Sequence, residues 1–257
     1  MTGAGELPRH LRLLWDLPEA RRGPRPRQTV QGIGAAAVAL ADAGGLSAVS
    51  MKAVAESVGM TTMSLYRYVD AKEDLYEVML DQAYGPPPTD EPVDDGGWRA
   101  GLLSWAHALG GALLTHPWIV EVPMSTPATT PNVLGWTDRG VAALSGTGLD
   151  GQQRLSCLLL VDGFVRQHVR LSLQLGLAPA SGPAPRQVSD GGADIPGGAV
   201  YADRVARLAD PQRLPHLAAA STALEGDGDF YTEELEFGLA VLLDGIAVLI
   251  DRAGTRA

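Results

Sequence analysis

The stretch that decides the fold is GLSAVSMKAVAESVGMTTMSLYRYVDAKEDLYEVML, residues 45–80. Ser50 is a suitable N-cap for a helix whose apolar residues recur at helical spacing, and Gly59 ends that helix. After a sharp turn, in which Gly59 is expected to take a positive φ, a short helix is predicted over residues 62–69 and another over 72–84. Two helices joined by a glycine-containing turn are typical of a helix-turn-helix, a motif that binds DNA.

The short helix after the turn has two distinct sides. At about 100° per residue, Leu65 and Val69 face one side and Met63 and Arg67 the other. Arg67 suits a guanine edge, through two hydrogen bonds, and Met63 suits a thymine methyl group. Lys52, early in the preceding helix, is placed to reach the groove edge. The other predicted DNA contacts, several of them suited to phosphates, are Ser50, Thr61, Thr62, Ser64, Tyr66, Tyr68 and Lys72.

The same residues resemble the DNA-binding domain of the tetracycline-repressor (TetR) family. The most specific part is SLYRYV at residues 64–69, followed by Lys72, behind the turn at Gly59. The run FGLAVLLDGIAVLI at residues 237–250 resembles the last helix of the subgroup closest to the tetracycline repressor. The resemblance implies an all-α homodimer in which two DNA-binding domains bind a palindromic operator and the C-terminal domains form a four-helix interface.

Helical periodicity continues along the rest of the chain, and strand patterns are nearly absent. We therefore expect an all-α protein with a three-helix helix-turn-helix domain and a larger helical domain for dimerisation and ligand binding. The expected domains are a basic N-terminal arm at 1–27, the DNA-binding domain at 28–84 and the helical domain at 98–257. A Pro-rich, acidic linker should separate the last two, and the Pro- and Gly-rich residues 179–198 should be mobile. The further helices are predicted at about 28–43, 98–116, 132–145, 150–177, 200–209, 211–221 and 230–253.

The charge of the chain is unevenly distributed. Residues 1–80 hold nine basic and nine acidic side chains, so the net charge of −10 belongs to the remainder. The segment RRGPRPR at residues 21–27 is locally basic, and its Arg25 and Arg27 are predicted DNA contacts. The alternative is that this segment is only a solvated tail.

The helical domain contains aromatic and polar side chains that are candidates for a pocket that binds a small hydrophobic or aromatic ligand. Aromatic residues at helical spacing are more often part of the core. Asp162 and Arg166 form either an ordinary intrahelical pair, which is the favoured interpretation, or a buried pair that fixes dimer register or contacts a ligand. The ligand-binding candidates are Trp105, His107, Trp118, Trp136, Asp162, Phe164, Arg166 and His168.

Several classes of protein are not supported by the sequence. The single Cys157 is compatible with a reducing cytoplasm, and no apolar run reaches the length of a membrane helix, so a cytoplasmic protein without membrane association is expected. No zinc spacing, nucleotide loop or nucleophile motif occurs, so neither a cofactor nor a metal nor an enzymatic activity is expected.

These observations favour a ligand-responsive DNA-binding regulator that acts as a repressor and is released from a palindromic operator by a small molecule. One alternative is a helical small-molecule-binding or enzymatic protein with a vestigial helix-turn-helix. Another is a dimeric DNA-binding protein that responds to no ligand.

Overall fold

The computed structural model describes residues 7–17, 28–88, 97–123, 127–179, 197–221 and 229–255. No strand occurs in these ranges, and none of their helices is long and apolar enough to cross a membrane. The predicted all-α fold is therefore confirmed. The α-helices are α1 (Arg9–Leu14), α2 (Val30–Gly44), α3 (Met51–Ser57), α4 (Thr62–Leu65), α5 (Lys72–Tyr84), α6 (Gly97–Thr115), α7 (Pro131–Ala143), α8 (Gly151–Leu175), α9 (Gly197–Leu208), α10 (Pro215–Ser221) and α11 (Phe230–Gly254).

Two compact units divide the chain, Met1–Leu158 and Leu159–Ala257. The division lies within α8, whereas the expected domain boundary was the linker after residue 84. The expected mobile segment, residues 179–198, lies mostly outside the described residues, as do Arg25 and Arg27 of the basic arm.

The core of the helix-turn-helix forms where α2 packs against α5. Ile33 on α2 and Val78 on α5 are fully buried. A Cβ placed at Gly34 would lie 3.0 Å from Val78 Cγ1 and 3.2 Å from the Val78 carbonyl oxygen, so the absent side chain lets the two helices approach closely. Helix α3 packs against α2, and α4 packs against α3.

Local capping sets where α3 and α4 begin. The Ser50 hydroxyl accepts a hydrogen bond from Ala53 N at 3.1 Å, and the Thr61 hydroxyl accepts one from Ser64 N at 3.2 Å. Gly59, between the two helices, has φ 68°. The predicted N-cap and the predicted left-handed glycine are both confirmed.

Helix α4 is shorter than predicted, since it ends at Leu65 rather than at residue 69. The amides of Arg67 and Tyr68 donate to the carbonyls three residues earlier, Ser64 and Leu65, so the last turn is tightened. Helix α10 begins at Pro215 rather than at residue 211, because residues 211–213 form a turn.

Helix α1 was not predicted at all, because residues 1–27 were expected to be an arm. It packs against α2 and α5 and buries Leu11 and Leu14. Its six residues offer too few periodic positions to stand out in a sequence in which Pro and charged residues are frequent.

Candidate DNA-binding surface and helical region

The side chains of the recognition segment, residues 61–69, divide between core and solvent. Leu65 and Val69 are fully buried, whereas Met63 is 76% exposed and Tyr66 43% exposed. Arg67 is also exposed. The division is the one that the helical wheel predicts, so an apolar side anchors the segment and a basic and aromatic side faces solvent.

Tyr68 departs from the prediction that it points outward. It is half-buried, and its hydroxyl donates to the carbonyl oxygen of Gln28 at 3.1 Å. The Gln28 side chain in turn donates to the carbonyl oxygen of Val58 at 3.1 Å. Tyr68 therefore joins the recognition segment to the start of α2, and its hydroxyl is occupied within the fold.

The hydroxyl groups of the segment also have local partners. The hydroxyl oxygens of Thr61 and Ser64 lie 3.0 Å apart, within hydrogen-bond distance. Thr62 and Ser64 are half-buried. Ser50 and Thr61 both serve as N-caps. Their side chains hold the helices in place, which leaves the longer side chains to reach away from the surface.

Basic side chains flank the recognition segment. Lys52 is 78% exposed, with its Nζ 3.8 Å from the Glu56 carboxylate one turn later. Lys72 is half-buried, and its Nζ lies 5.3 Å from the centre of the Tyr76 ring, a cation–π geometry. Arg9, which is not among the predicted DNA contacts, is exposed and donates from Nη1 to the carbonyl oxygen of Arg67 at 3.2 Å.

The three tryptophans proposed as ligand contacts are buried in the first unit, and their N–H groups have protein acceptors. Trp105 donates to the carbonyl of Trp136 at 2.8 Å, and Trp136 donates to the carbonyls of Tyr84 and Gly85 at 3.3 and 3.2 Å. Trp118 donates to the Asp42 carboxylate at 2.7 Å. These contacts are those of core packing.

His107 lies on the exposed side of α6. The other candidates, Asp162, Phe164, Arg166 and His168, belong to α8 in the second unit. Arg166 Nε donates to the Asp162 carboxylate at 2.7 Å, and both side chains are about one quarter exposed, so the pair forms within the helix at its surface.

An aromatic cluster in the second unit joins α8 to α11. The His168 ring lies 6.0 Å from the Phe164 ring and 4.9 Å from the ring of Tyr231, measured between centroids. His168 Nε2 lies 2.8 Å from the Tyr231 carbonyl oxygen, and burial lowers the pKa of His168. The neutral ring with its proton on Nε2 therefore fits this position. Tyr231 was not predicted, because it lies 63 residues from His168.

Large apolar side chains remain exposed on both long helices of the second unit. Leu159 on α8 is 70% exposed, and Phe237 on α11 is 69% exposed. The other large exposed apolar residues on these helices in this unit are Leu160, Leu171, Leu175, Phe230, Val241, Val248 and Leu249. The buried stripe of α11 is a separate face, formed by Leu235, Leu239, Leu243 and Ile246. The helices thus carry more apolar surface than the described residues cover.

The capped α3 and α4, the glycine turn and the exposed basic and aromatic side chains define a helix-turn-helix DNA-binding protein. Residues 33–79 match the family model "Bacterial regulatory proteins, tetR family", and residues 91–250 match "Tetracyclin repressor-like, C-terminal domain". The chain belongs to the TetR family of transcriptional regulators. It is a DNA-binding regulator and not an enzyme, and the alternative of a vestigial helix-turn-helix is not supported.

A curated relative and one solved structure agree with this membership, and a second solved structure shares the fold. The HTH-type transcriptional repressor DrrR1 of Streptomyces coeruleorubidus is 33% identical over 250 residues, which cover 97% of this chain and 88% of the relative. A possible TetR family regulator from Streptomyces coelicolor A3(2) has TM-score 0.63 and 28% identity, with 86% of this chain and 99% of that chain covered. Streptomyces coelicolor ActR in complex with actinorhodin has TM-score 0.69 and 20% identity, over 88% and 99% of the two chains.

Proposed function

We propose that the chain is a cytoplasmic repressor that binds a palindromic operator as a homodimer and is released by a small hydrophobic or aromatic ligand. The observation that carries the proposal is the exposure of Met63, Tyr66 and Arg67 on a segment whose opposite side is fully buried. The repressor role draws on the curated relative DrrR1, a transcriptional repressor. The cytoplasm is the compartment in which a bacterial protein meets the chromosome.

The recognition side chains divide into two kinds of contact. Arg67 would bind a guanine edge through two hydrogen bonds, and Met63 would contact a thymine methyl group. The remaining contacts would set the position on the backbone without specifying sequence. These are Ser50, Lys52, Thr61, Thr62, Ser64, Tyr66 and Lys72, with Arg25 and Arg27 of the arm as further candidates. Tyr68 is withdrawn from this set because its hydroxyl is bonded to Gln28.

The exposed apolar faces of α8 and α11 would form the homodimer interface. An apolar stripe on two adjacent long helices needs a partner to be removed from water, and a two-fold contact lets the same stripe serve both protomers. Such a dimer presents two recognition segments at once. For simultaneous docking they must stand about one DNA turn apart, roughly 34–36 Å.

A ligand would act by favouring a dimer in which this separation is wrong. Its coupling to DNA binding would be on the order of 1–3 kcal/mol. The structurally similar ActR has been crystallised with actinorhodin, which supports an aromatic ligand class for this chain. Within the second unit, Phe164 and His168 offer ring faces for such a molecule, and Asp162 and Arg166 offer polar contacts near the surface. The buried tryptophans and the exposed His107 are weaker candidates, because their positions are those of core and surface.

Selection from a pool of random duplexes with the full chain tests the proposal. We expect an inverted repeat to be enriched, with half-sites centred about 10 base pairs apart. Enrichment of no sequence, or of a single unrepeated site, would contradict binding as a symmetric dimer. Addition of actinorhodin as a probe then tests release of the selected duplex. If neither actinorhodin nor other planar aromatic compounds released the duplex from the protein, the result would favour the alternative of a regulator without a ligand.

A further inference from the structure

Helix α1 is held against the helix-turn-helix by an apolar side and a buried histidine. Leu11 and Leu14 are buried, and His10 is only 1% exposed. His10 Nε2 lies 3.1 Å from the Glu77 carboxylate, and Nδ1 lies 3.4 Å from that of Asp74. Both acids belong to α5, the helix that follows the recognition segment. A six-residue helix is too short to be stable alone, so these contacts fix where it lies.

The N-terminal end of α1 contacts the recognition segment itself. Arg9 Nη1 donates to the carbonyl oxygen of Arg67 at 3.2 Å. The carbonyl of Arg67 follows the end of α4, where the last turn leaves carbonyls without a partner in the helix. A guanidinium placed there restrains the backbone that carries the Arg67 side chain.

The other end of α1 touches a different part of the first unit. Trp15, in the turn after α1, donates from its indole N–H to the carbonyl oxygen of Thr129 at 3.0 Å. Thr129 lies in the segment that leads into α7, and α7 is itself bonded to α5 through Asn132 and Asp81. Helix α1 and the turn after it therefore link the recognition segment to the start of α7. This link is separate from the hydrogen bonds between α5 and α7.

We propose that α1 positions the recognition segment, because Arg9 and Trp15 hold this segment at a fixed place relative to the start of α7. Residues 9–15 are called the strap below. The strap lies outside residues 33–79 and 91–250, which the two family models match, so it is an addition to the part that defines the family. A displacement of α7 relative to α4 that α1 does not follow would strain these two hydrogen bonds. The strap thus reduces the freedom of Arg67 before DNA binds, which lowers the entropic cost of docking.

The proposal rests on the proposed role of Arg67 in DNA binding, and the first measurement does not depend on that role. Hydrogen exchange in the free protein reports the amides of residues 66–69, which donate to carbonyls one turn earlier. Trp15→Phe keeps an apolar ring at a side chain that is 42% exposed but removes the N–H donor. Arg9→Ala removes the other contact, and Arg213→Ala, at an exposed arginine of the second unit, is the charge-matched control.

We expect exchange at residues 66–69 to be about 3- to 10-fold faster in Trp15→Phe and in Arg9→Ala, as loss of one hydrogen bond implies, and unchanged in Arg213→Ala. Unchanged exchange in both strap variants would overturn the proposal. Faster exchange throughout the first unit would also overturn it, because it would mean general destabilisation. If the wild-type protein bound no duplex, the proposed function would fail. The exchange rates of the free protein would still decide whether α1 positions the recognition segment.

Binding to the selected duplex gives the second measurement. Trp15→Phe and Arg9→Ala should weaken binding about 3- to 10-fold, with no change in the slope of log K against log salt. Affinity for a random duplex should stay as in wild type. A slope that falls by about two in Arg9→Ala, about one for each protomer of the dimer, would show that Arg9 contacts a phosphate directly, which would overturn its positioning role.

Discussion

Asp81 and Asn132 lie 51 residues apart in the sequence and are joined by a set of hydrogen bonds, called the clasp below. The Asp81 carboxylate accepts the backbone N–H of Asn132 at 2.8 Å, and the Asn132 amide donates to the Asp81 carbonyl at 2.9 Å. Asp81 is 6% exposed, so these bonds replace water that the carboxylate has lost. The clasp joins the C-terminal half of α5 to the first turn of α7.

The clasp predicts a loss of stability when Asp81 is changed. Asp81→Ala should lower the free energy of unfolding by about 1–3 kcal/mol, because the backbone N–H of the half-buried Asn132 loses its carboxylate acceptor, while the Asn132 side chain keeps its bond to the Asp81 carbonyl. Urea denaturation measures the change. Asp203→Ala is the matched control, since Asp203 is 57% exposed and pairs with Arg207 one turn later, and it should cost less than about 1 kcal/mol. Equal losses in the two variants would argue against the clasp.

Tyr68 provides a second prediction, because its hydroxyl is bonded within the fold. Tyr68→Phe should lower the free energy of unfolding by about 0.5–1.5 kcal/mol and leave operator affinity nearly unchanged. Tyr66→Phe, at an exposed ring, should leave stability as in wild type. Thermal melts and anisotropy titrations measure the two properties. Several-fold weaker DNA binding by Tyr68→Phe at unchanged stability would restore the interpretation of Tyr68 as a phosphate contact.

The exposed apolar faces predict the effect of a charge on assembly. Phe237→Glu should raise the dimer dissociation constant by roughly a hundredfold, since each protomer would bury an unpaired carboxylate. Light scattering coupled to size-exclusion chromatography measures the mass across a dilution series. Met63→Glu makes the same kind of change at another exposed apolar residue and should leave the dimer intact. A Phe237→Glu variant that stays dimeric on dilution would place the interface elsewhere.

His168 predicts a pH dependence of stability. Burial, the largest influence, lowers its pKa below 6.5 in the folded protein, while the Tyr231 carbonyl and the charge of Glu234 act in the opposite direction. As the pH falls through about 6.5 the unfolded chain therefore takes up the proton first, so this contribution to stability is present above that pH and is lost below it.

Urea denaturation at about pH 7.5 and pH 5.5 tests the effect. His168→Gln, whose amide can still donate to the Tyr231 carbonyl, should lose less stability on acidification than wild type does. His216→Gln is the control at an exposed histidine and should keep the wild-type dependence. An identical pH dependence in His168→Gln and wild type would show that His168 does not contribute.

The helix-turn-helix could be predicted because its determinants are local. Ser50, Gly59 and Thr61 act on neighbours within three residues, and Leu65 and Val69 follow from the helical period alone. The bonds that join elements are different. The acceptor of Tyr68 lies 40 residues away, so no local pattern could show that its hydroxyl is occupied.

The roles of the side chains in the helical region were harder to predict, because their partners are also distant in the sequence. The indole N–H groups of Trp105 and Trp136 find carbonyl acceptors 31 and 52 residues away, and only the packed structure identifies these side chains as core. Helix α1 was missed because docking on α5, rather than its own propensity, stabilises it. Its buried His10, between Asp74 and Glu77, carries no sequence signal that distinguishes it from an exposed histidine.

Operator binding by a variant of the recognition segment tests the central claim most directly. Anisotropy titration of the selected duplex compares wild type with the double variant Tyr66→Ala, Arg67→Ala. Both side chains are exposed, so the variant should fold and dimerise as wild type does, which circular dichroism and light scattering check. We predict a loss of affinity of about a hundredfold or more, since one bidentate base contact alone is worth about 1–3 kcal/mol and a dimer loses two. Wild-type affinity for the palindrome in this folded, dimeric variant would contradict the assignment of residues 61–69 as the DNA-recognition segment.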